Sequence, residues 1–244
     1  MNMILRTLTL LSVFVSTFVA ADDSSRALAE QFHREADLRR IATQQTSIDI
    51  KSDFVAYQGD DGQLYFLSKD GRYAVQGMIT DTWRRKQIVT IADAQYSETH
   101  LSLDYWQLQA NQLNTISIGH GPEEILVFAD PRCSACKSFI QAAQERPDQY
   151  TTKIIVVPAF GGESLTMTKA LWCAEDRLNA IDAFMSESLL DLPRRADCDT
   201  AGLDRTLMTA HLFNIQAVPF VIAPDGRYRA GVDQHVWRWI RSGS

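Results

Sequence analysis

Two cysteines with two residues between them, Cys133 and Cys136 in FADPRCSACKSFI (128–140), are the side chains of this 244-residue sequence best placed for chemistry. Their spacing suits a metal clamp, a haem anchor, a structural staple or a redox switch. Haem attachment needs a histidine directly after the second cysteine, and Lys137 stands there. A structural zinc site usually joins two close-spaced cysteine knuckles, whereas the other cysteines, Cys173 and Cys198, are far apart in the chain. A staple closing so short a loop removes little entropy from the unfolded chain. The same short loop suits a switch: after Cys133 attacks a disulfide in another protein, Cys136 is within reach to expel the product.

That chemistry depends on where the pair sits. An apolar strand (125–129) runs into a helix from Cys133 to about Glu145, ended before Pro147. A cysteine in the first turn of a helix meets unpaired N–H groups and the favourable end of the helix dipole, and Arg132 and Lys137 add positive charge nearby. Cys133 is therefore expected to be the more thiolate-like, with Cys136 more buried and less acidic. Ser134 and Ala135 between them add neither charge nor a rigid ring, so they leave the redox potential open. The sequence also leaves open whether Pro219, in AVPF (217–220), follows a cis bond.

Further elements frame the pair. KIIVV (153–157) predicts a strand, followed by helices around 164–174, 177–187 and 200–213. PFVIA (219–223) predicts another strand, then a PDGR turn, a short strand near Tyr228 and a closing helix from about Asp233. A β-α-β opening, inserted helices and a β-β-α close make an α/β sandwich with a mixed sheet. Upstream, GHGPEE (119–124) marks a boundary. Leu101, Tyr105 and Leu108 place an amphipathic helix over 97–114, joining two modules. Residues 47–91 alternate aromatic and β-branched runs with the turn sequences GDDGQ and KDGR, the pattern of a small antiparallel sheet. Residues 22–45, with Leu28, Phe32 and Leu38 as a thin stripe, suit a peripheral helix to which no chemistry is assigned.

The first 21 residues carry one cation, Arg6, then an uncharged apolar run, with Val19 and Ala21 spaced like a signal peptidase site. The run is shorter than the roughly 20 residues of a membrane span, and no cysteine follows it for lipid attachment. Export with cleavage before Asp22 is expected. Export to an oxidising compartment allows disulfides to persist. The composition, 45% hydrophobic and 22% charged, is that of a globular protein. A net charge of −6, with no basic block beyond RRK (84–86), argues against nucleic acid as a partner.

These features resemble the periplasmic disulfide isomerase family of DsbC and DsbG, whose catalytic module has a thioredoxin fold. The resemblance lies in FADPRCSAC after a strand, LWCAEDR around Cys173, Cys198 downstream, VP before a strand, and LYFLSKDGRYAVQG in the first module. It covers roughly residues 47–242. It implies an α/β, thioredoxin-like catalytic domain with inserted helices (119–244), preceded by a small α+β, cystatin-like dimerisation domain (22–96) and a linker helix (97–118). By resemblance, Cys133 attacks, Cys136 resolves, Pro219 is a cis-proline, and Val218 offers backbone hydrogen bonds to an extended substrate chain. Cys173 and Cys198 become a structural disulfide, worth roughly 3 kcal/mol in the loop-entropy model. The expected assembly is a homodimer acting on exported proteins with disulfides, without metal or cofactor, and kept reduced by a membrane thiol reductant of the DsbD type. Two features depart from the family: Ser-Ala stands between the cysteines where an aromatic-containing pair is usual, and Val218 stands where threonine is usual. A dimeric chaperone with secondary redox activity and a dithiol oxidase are the competing functions.

Among the remaining candidates, His211 is expected to pack or cap a helix, and His33, His100, His120 and His235 form no ligand pattern. Tyr65, Tyr73 and Trp83 are assigned to sheet packing and Trp172 to the core. Asp130 is assigned either to a turn or to proton transfer.

Overall fold

The computed structural model describes residues 53–243 apart from positions 78, 82, 83, 102 and 104–107. The expected signal segment (1–21), the expected peripheral helix (22–45), Trp83 and Tyr105 therefore lie outside the described residues. Gln45–Ser244 form one compact unit.

Strands β1 (Phe54–Gln58), β2 (Leu64–Ser68) and β3 (Ala74–Gln76) form an antiparallel sheet in that order. Two acid-glycine turns set its register. In the first, Asp61 accepts from the Gln63 amide at 3.0 Å and Gly62 takes φ 78°. In the second, Asp70 accepts from the Arg72 amide at 3.1 Å and Gly71 takes φ 71°, a region that glycine enters without a Cβ penalty. Leu64 and Phe66 are buried on one face. Strands β4 (Ile79–Asp81) and β5 (Lys86–Ile88) pair separately.

Helix α1 (Ile91–Thr99) starts at a capping box: the Thr90 hydroxyl accepts from the Asp93 amide, and the Asp93 carboxylate accepts from the Thr90 amide. The Thr90 hydroxyl also donates to the Asp93 carboxylate at 2.7 Å, and that bond first, then the Val89 amide's, holds the Asp93 carboxyl below its ordinary value. At His100 the chain turns extended and bridges to Arg227, and the Leu101 amide donates to the Gly226 carbonyl at 2.8 Å. Gly226 has φ 86°, and a Cβ there would lie 2.7 Å from the Leu101 carbonyl oxygen, so this approach requires glycine. The Tyr228 hydroxyl, donating to the Glu98 carbonyl at 2.9 Å, adds a second tie.

The main sheet contains β6 (Thr115–Ile118), β7 (Glu123–Ala129), β8 (Tyr150–Val156), β9 (Phe220–Ile222) and β10 (Tyr228–Ala230), in the order β10-β9-β7-β8-β6. Only β7 and β8 are parallel, joined by α2 (Ser134–Gln144) as their crossover. The chain then inserts α3 (Gly162–Trp172), α4 (Ala180–Met185) and α5 (Ala201–Leu212) before returning through β9 and β10 to α6 (Val236–Arg241). This mixed, helix-covered sheet is the thioredoxin-like α/β arrangement, and its elements follow the order given by the sequence pattern. β6 lies just beyond the amphipathic pattern of 97–114, at the end of the 97–118 range that the resemblance gives to a linker helix; its four residues are too few to show strand periodicity.

β7 is sealed on both faces, with Ile125, Val127, Phe128 and Ala129 all fully buried. Phe139 of α2 stacks on Trp237 of α6 at 5.0 Å, and the Arg146 guanidinium lies over the same indole at 4.5 Å. These contacts fix the helix that carries the cysteine pair.

The inserted helices are fastened to the sheet by polar groups. Asn114, fully buried, donates through its side chain to the Thr168 carbonyl at 3.0 Å and accepts from Arg177 at 3.2 Å, while its amide donates to the Thr206 hydroxyl at 2.9 Å. Arg177 also donates to the Thr115 carbonyl at 2.6 Å, and burial followed by the neighbouring Arg195 lowers its pKa from the ordinary arginine value. Asn114→Ala removes the side-chain donor to the Thr168 carbonyl and the acceptor of one arm of half-buried Arg177. A loss of about 2–4 kcal/mol in unfolding free energy is expected by denaturant titration.

Candidate functional site

Asp130, directly after β7, organises the turn that delivers the cysteines. It is fully buried, and its carboxylate collects three neutral donors: the Arg132 amide at 2.8 Å, the Ser164 hydroxyl at 2.9 Å and the Phe160 amide at 2.9 Å. Its own carbonyl accepts from the Cys133 amide at 3.1 Å. One side chain thus holds the approach to Cys133, the start of α3 and the loop bearing the exposed Phe160. Of the two roles open to it from sequence, this geometry is that of a turn organiser.

Cys133 is the N-cap of α2, and its sulfur accepts from the Cys136 amide at 3.0 Å. The two cysteines form a disulfide and both are buried, Cys136 completely. The Cys133 sulfur lies 3.8 Å from the Val218 carbonyl oxygen, across 85 positions of sequence. The Val218-Pro219 bond is cis, Pro219 is buried, and the Pro219 carbonyl accepts from Gly231 at 2.8 Å. The fold therefore brings Cys133, Cys136, Val218 and Pro219 to one place. Cys173 and Cys198 are not part of it: they form their own disulfide at the end of α3. Trp172 is half-buried there rather than in the core. Its indole donates to the Asp199 carbonyl at 2.7 Å and lies where a Cβ on Gly202 would go.

The charges around the pair differ from the simple expectation. Arg132 and Lys137, whose positive charge the sequence places near Cys133, are each paired with a carboxylate. Arg132 meets Glu163 at 2.8 Å, and the Lys137 ammonium meets Glu187. That hydrogen bond, and the ammonium charge after it, hold the Glu187 carboxyl below its ordinary range, so it stays ionised at neutral pH. The favourable field at Cys133 accordingly comes from the helix start, through the Cys136 amide. Neither acid was legible in sequence, because both come from inserted helical segments with no spacing relation to the cysteines.

Of the histidines, His211 is exposed in the last turn of α5, His120 pairs with Asp148 at 2.9 Å, and His100 stacks on Tyr96 at 3.8 Å. The Tyr65 hydroxyl donates to Asp61 at 3.3 Å, and the Asp61 charge raises its pKa.

Over 176 residues the chain is 23% identical to the probable thiol:disulfide interchange protein DsbC of Bordetella avium, covering 70% of this chain and 59% of that protein. In sequence the chain is DsbC-like. The DsbC-like chain thus matches less than two thirds of that relative's length. No family model matches the sequence. Among solved structures, it is similar to a disulfide interchange protein from Neisseria gonorrhoeae, with TM-score 0.42, 19% identity, and coverage of 55% of this chain and 97% of that one. It is also similar to a periplasmic thioredoxin-like protein from Salmonella enterica serovar Typhimurium, with TM-score 0.43, 19% identity, and coverage of 53% and 89%.

Proposed function

We propose that this DsbC-like chain is a periplasmic thiol:disulfide interchange enzyme that reduces or isomerises non-native disulfides in exported proteins. The observation that carries this reading is the Cys133 sulfur, set at a helix start on the Cys136 amide and 3.8 Å from the carbonyl before cis Pro219.

In the reduced protein the Cys133 thiolate attacks one sulfur of a client disulfide. A mixed disulfide forms, and the other client sulfur leaves as a thiolate. Two exits follow. A client thiolate can attack elsewhere in the client and finally return to the mixed disulfide, which reshuffles pairings without net redox change. Alternatively, the Cys136 thiolate attacks the Cys133 sulfur, releasing a client dithiol and leaving Cys133–Cys136 oxidised, the state of this structure. The second exit requires re-reduction, the role we assign to a membrane thiol reductant of the DsbD type. Val218 presents its backbone to the client segment beside the reacting sulfur. Cys173–Cys198 serves as a structural bridge.

We assign the first module to dimerisation. Val55, Tyr57 and Tyr65 share one sheet face by register and are 37%, 53% and 36% exposed, and β1 and β3 are the sheet's two edges. An exposed apolar face between open edges favours a second copy. The full chain is expected to show a dimer mass by light scattering at micromolar concentration; a monomer would remove this part of the reading.

The function itself is tested by recovery of a scrambled multi-disulfide protein. The wild-type chain, reduced beforehand, should raise the rate well above that of glutathione alone. Suppression of aggregation without any thiol exchange would instead favour the chaperone reading.

A further inference from the structure

We infer that Glu187 is a positioning residue for the cysteine pair: by keeping the Lys137 ammonium to itself, it withholds that charge from the Cys133 sulfur and sets the pair's reduction potential. The inference rests on the redox role proposed above.

Lys137 lies one helical turn beyond Cys133. Its amide donates to the Cys133 carbonyl at 3.1 Å, and residues so spaced face the same way with Cβ atoms about 5–6 Å apart. A free ammonium on that stem would reach the thiolate. Instead it is drawn to Glu187, with the lysine side chain 18% and the glutamate side chain 45% exposed.

The backbone at Glu187 gives a second, independent indication. It takes φ 60°, the left-handed region where a Cβ is disfavoured and glycine or asparagine is the usual occupant after a helix. It follows α4, whose end is closed by the Ser188 amide donating to the Ala183 carbonyl at 2.8 Å. A glycine would close the turn with less strain but carries no carboxylate. Arg132 is handled in the same way by Glu163 of α3, so the insertion between β8 and β9 sends an acid to each cation flanking the pair. The charged groups around Cys133 are thus Arg132 with Glu163, Lys137 with Glu187, and buried Asp130.

The consequence is redox. When the Cys133–Cys136 disulfide takes two electrons from two glutathiones, the products are the dithiol and glutathione disulfide. A free cation near Cys133 stabilises its thiolate, which exists only on the reduced side. Pinning Lys137 removes that help and makes the disulfide less oxidising.

Glu187→Gln frees Lys137 with little change of shape. Ultraviolet titration of the reduced protein should show the Cys133 pKa fall by about half to one unit, the size of effect a nearby charge produces. Equilibration with glutathione should move roughly three- to tenfold toward the dithiol, about 15–30 mV. Lys137→Met in the Glu187→Gln background should return both to wild-type values, and Glu187→Asp should retain much of the wild-type behaviour. Glu187→Gly should lower the pKa as glutamine does while raising the thermal midpoint, which separates charge from backbone strain. An unchanged pKa and equilibrium in the glutamine and glycine variants, with a wild-type pair that exchanges normally, would overturn the inference. So would a shift that persists without Lys137. A wild-type pair inert toward glutathione would overturn the redox reading itself, a separate and recognisable result.

Discussion

Serine at Cys133 is expected to abolish recovery of a scrambled multi-disulfide protein, while serine at Cys136 is expected to trap client as a mixed disulfide. The two positions differ by one helical turn, and the geometry separates their roles. Cys133 is the cap residue, with its sulfur on the Cys136 amide and close to Val218, the backbone we propose meets an incoming chain. Cys136 is completely enclosed. A hydroxyl at 133 has no accessible anionic form near neutral pH, so exchange should drop at least about a thousandfold, the scale of losing a nucleophile. A hydroxyl at 136 leaves the attack intact but removes the internal exit, so covalent complexes should accumulate on non-reducing gels and disappear on reduction. Client-initiated reshuffling does not need Cys136, so that variant should keep part of its isomerising rate. Equal recovery by Cys133→Ser and wild type would sink the mechanism, as would mixed disulfides formed through Cys136.

The elements nearest the cysteines were the most legible. β7 announces itself as an uninterrupted apolar run because it is buried on both faces, and α2 follows because Pro147 and the 3.6-residue pattern of Cys136, Phe139, Ile140 and Ala143 define it. The two hairpin turns of the first module were equally plain, since an aspartate-glycine pair has a local reason to turn. What could not be read was set by long-range contact. β6 is a short strand defined by its pairing with β8 rather than by its own pattern. α1 starts at the Thr90–Asp93 capping box and leads into a bridge with Arg227, neither of which the Leu101, Tyr105 and Leu108 stripe reveals. Charge was the least legible property. Arg132 and Lys137 read as nearby positive charge because the chain shows them beside the cysteines, while Glu163 and Glu187 reach them only through the packing of the inserted helices. Sequence proximity therefore indicates which groups lie near the thiol but not which of them remain uncompensated.

Asp130→Ala is expected to cost about 3 kcal/mol or more of stability and to slow exchange beyond what the stability loss explains. The carboxylate meets the Arg132 amide, the Phe160 amide and the Ser164 hydroxyl, so alanine leaves three donors without their acceptor around a fully buried position, each worth about 1–3 kcal/mol when left unsatisfied. The hydroxyl can rotate to another acceptor, whereas the two amides cannot. Asp130→Asn should be milder and more informative. Its side-chain oxygen can occupy the position shared by Arg132 and Ser164, which puts the NH2 group against the Phe160 amide, donor facing donor. Only the Phe160 loop should then loosen, and Cys133 should keep its place because its amide is held by the backbone carbonyl of residue 130 rather than by the side chain. Denaturant titration should rank wild type above asparagine and asparagine above alanine. Hydrogen exchange should show Asp130→Asn raising exchange at Phe160 while Arg132 stays protected. Equal loosening at both amides would mean that the carboxylate does not divide the work in this way, and an alanine variant as stable as wild type would remove Asp130 as the organiser of the turn.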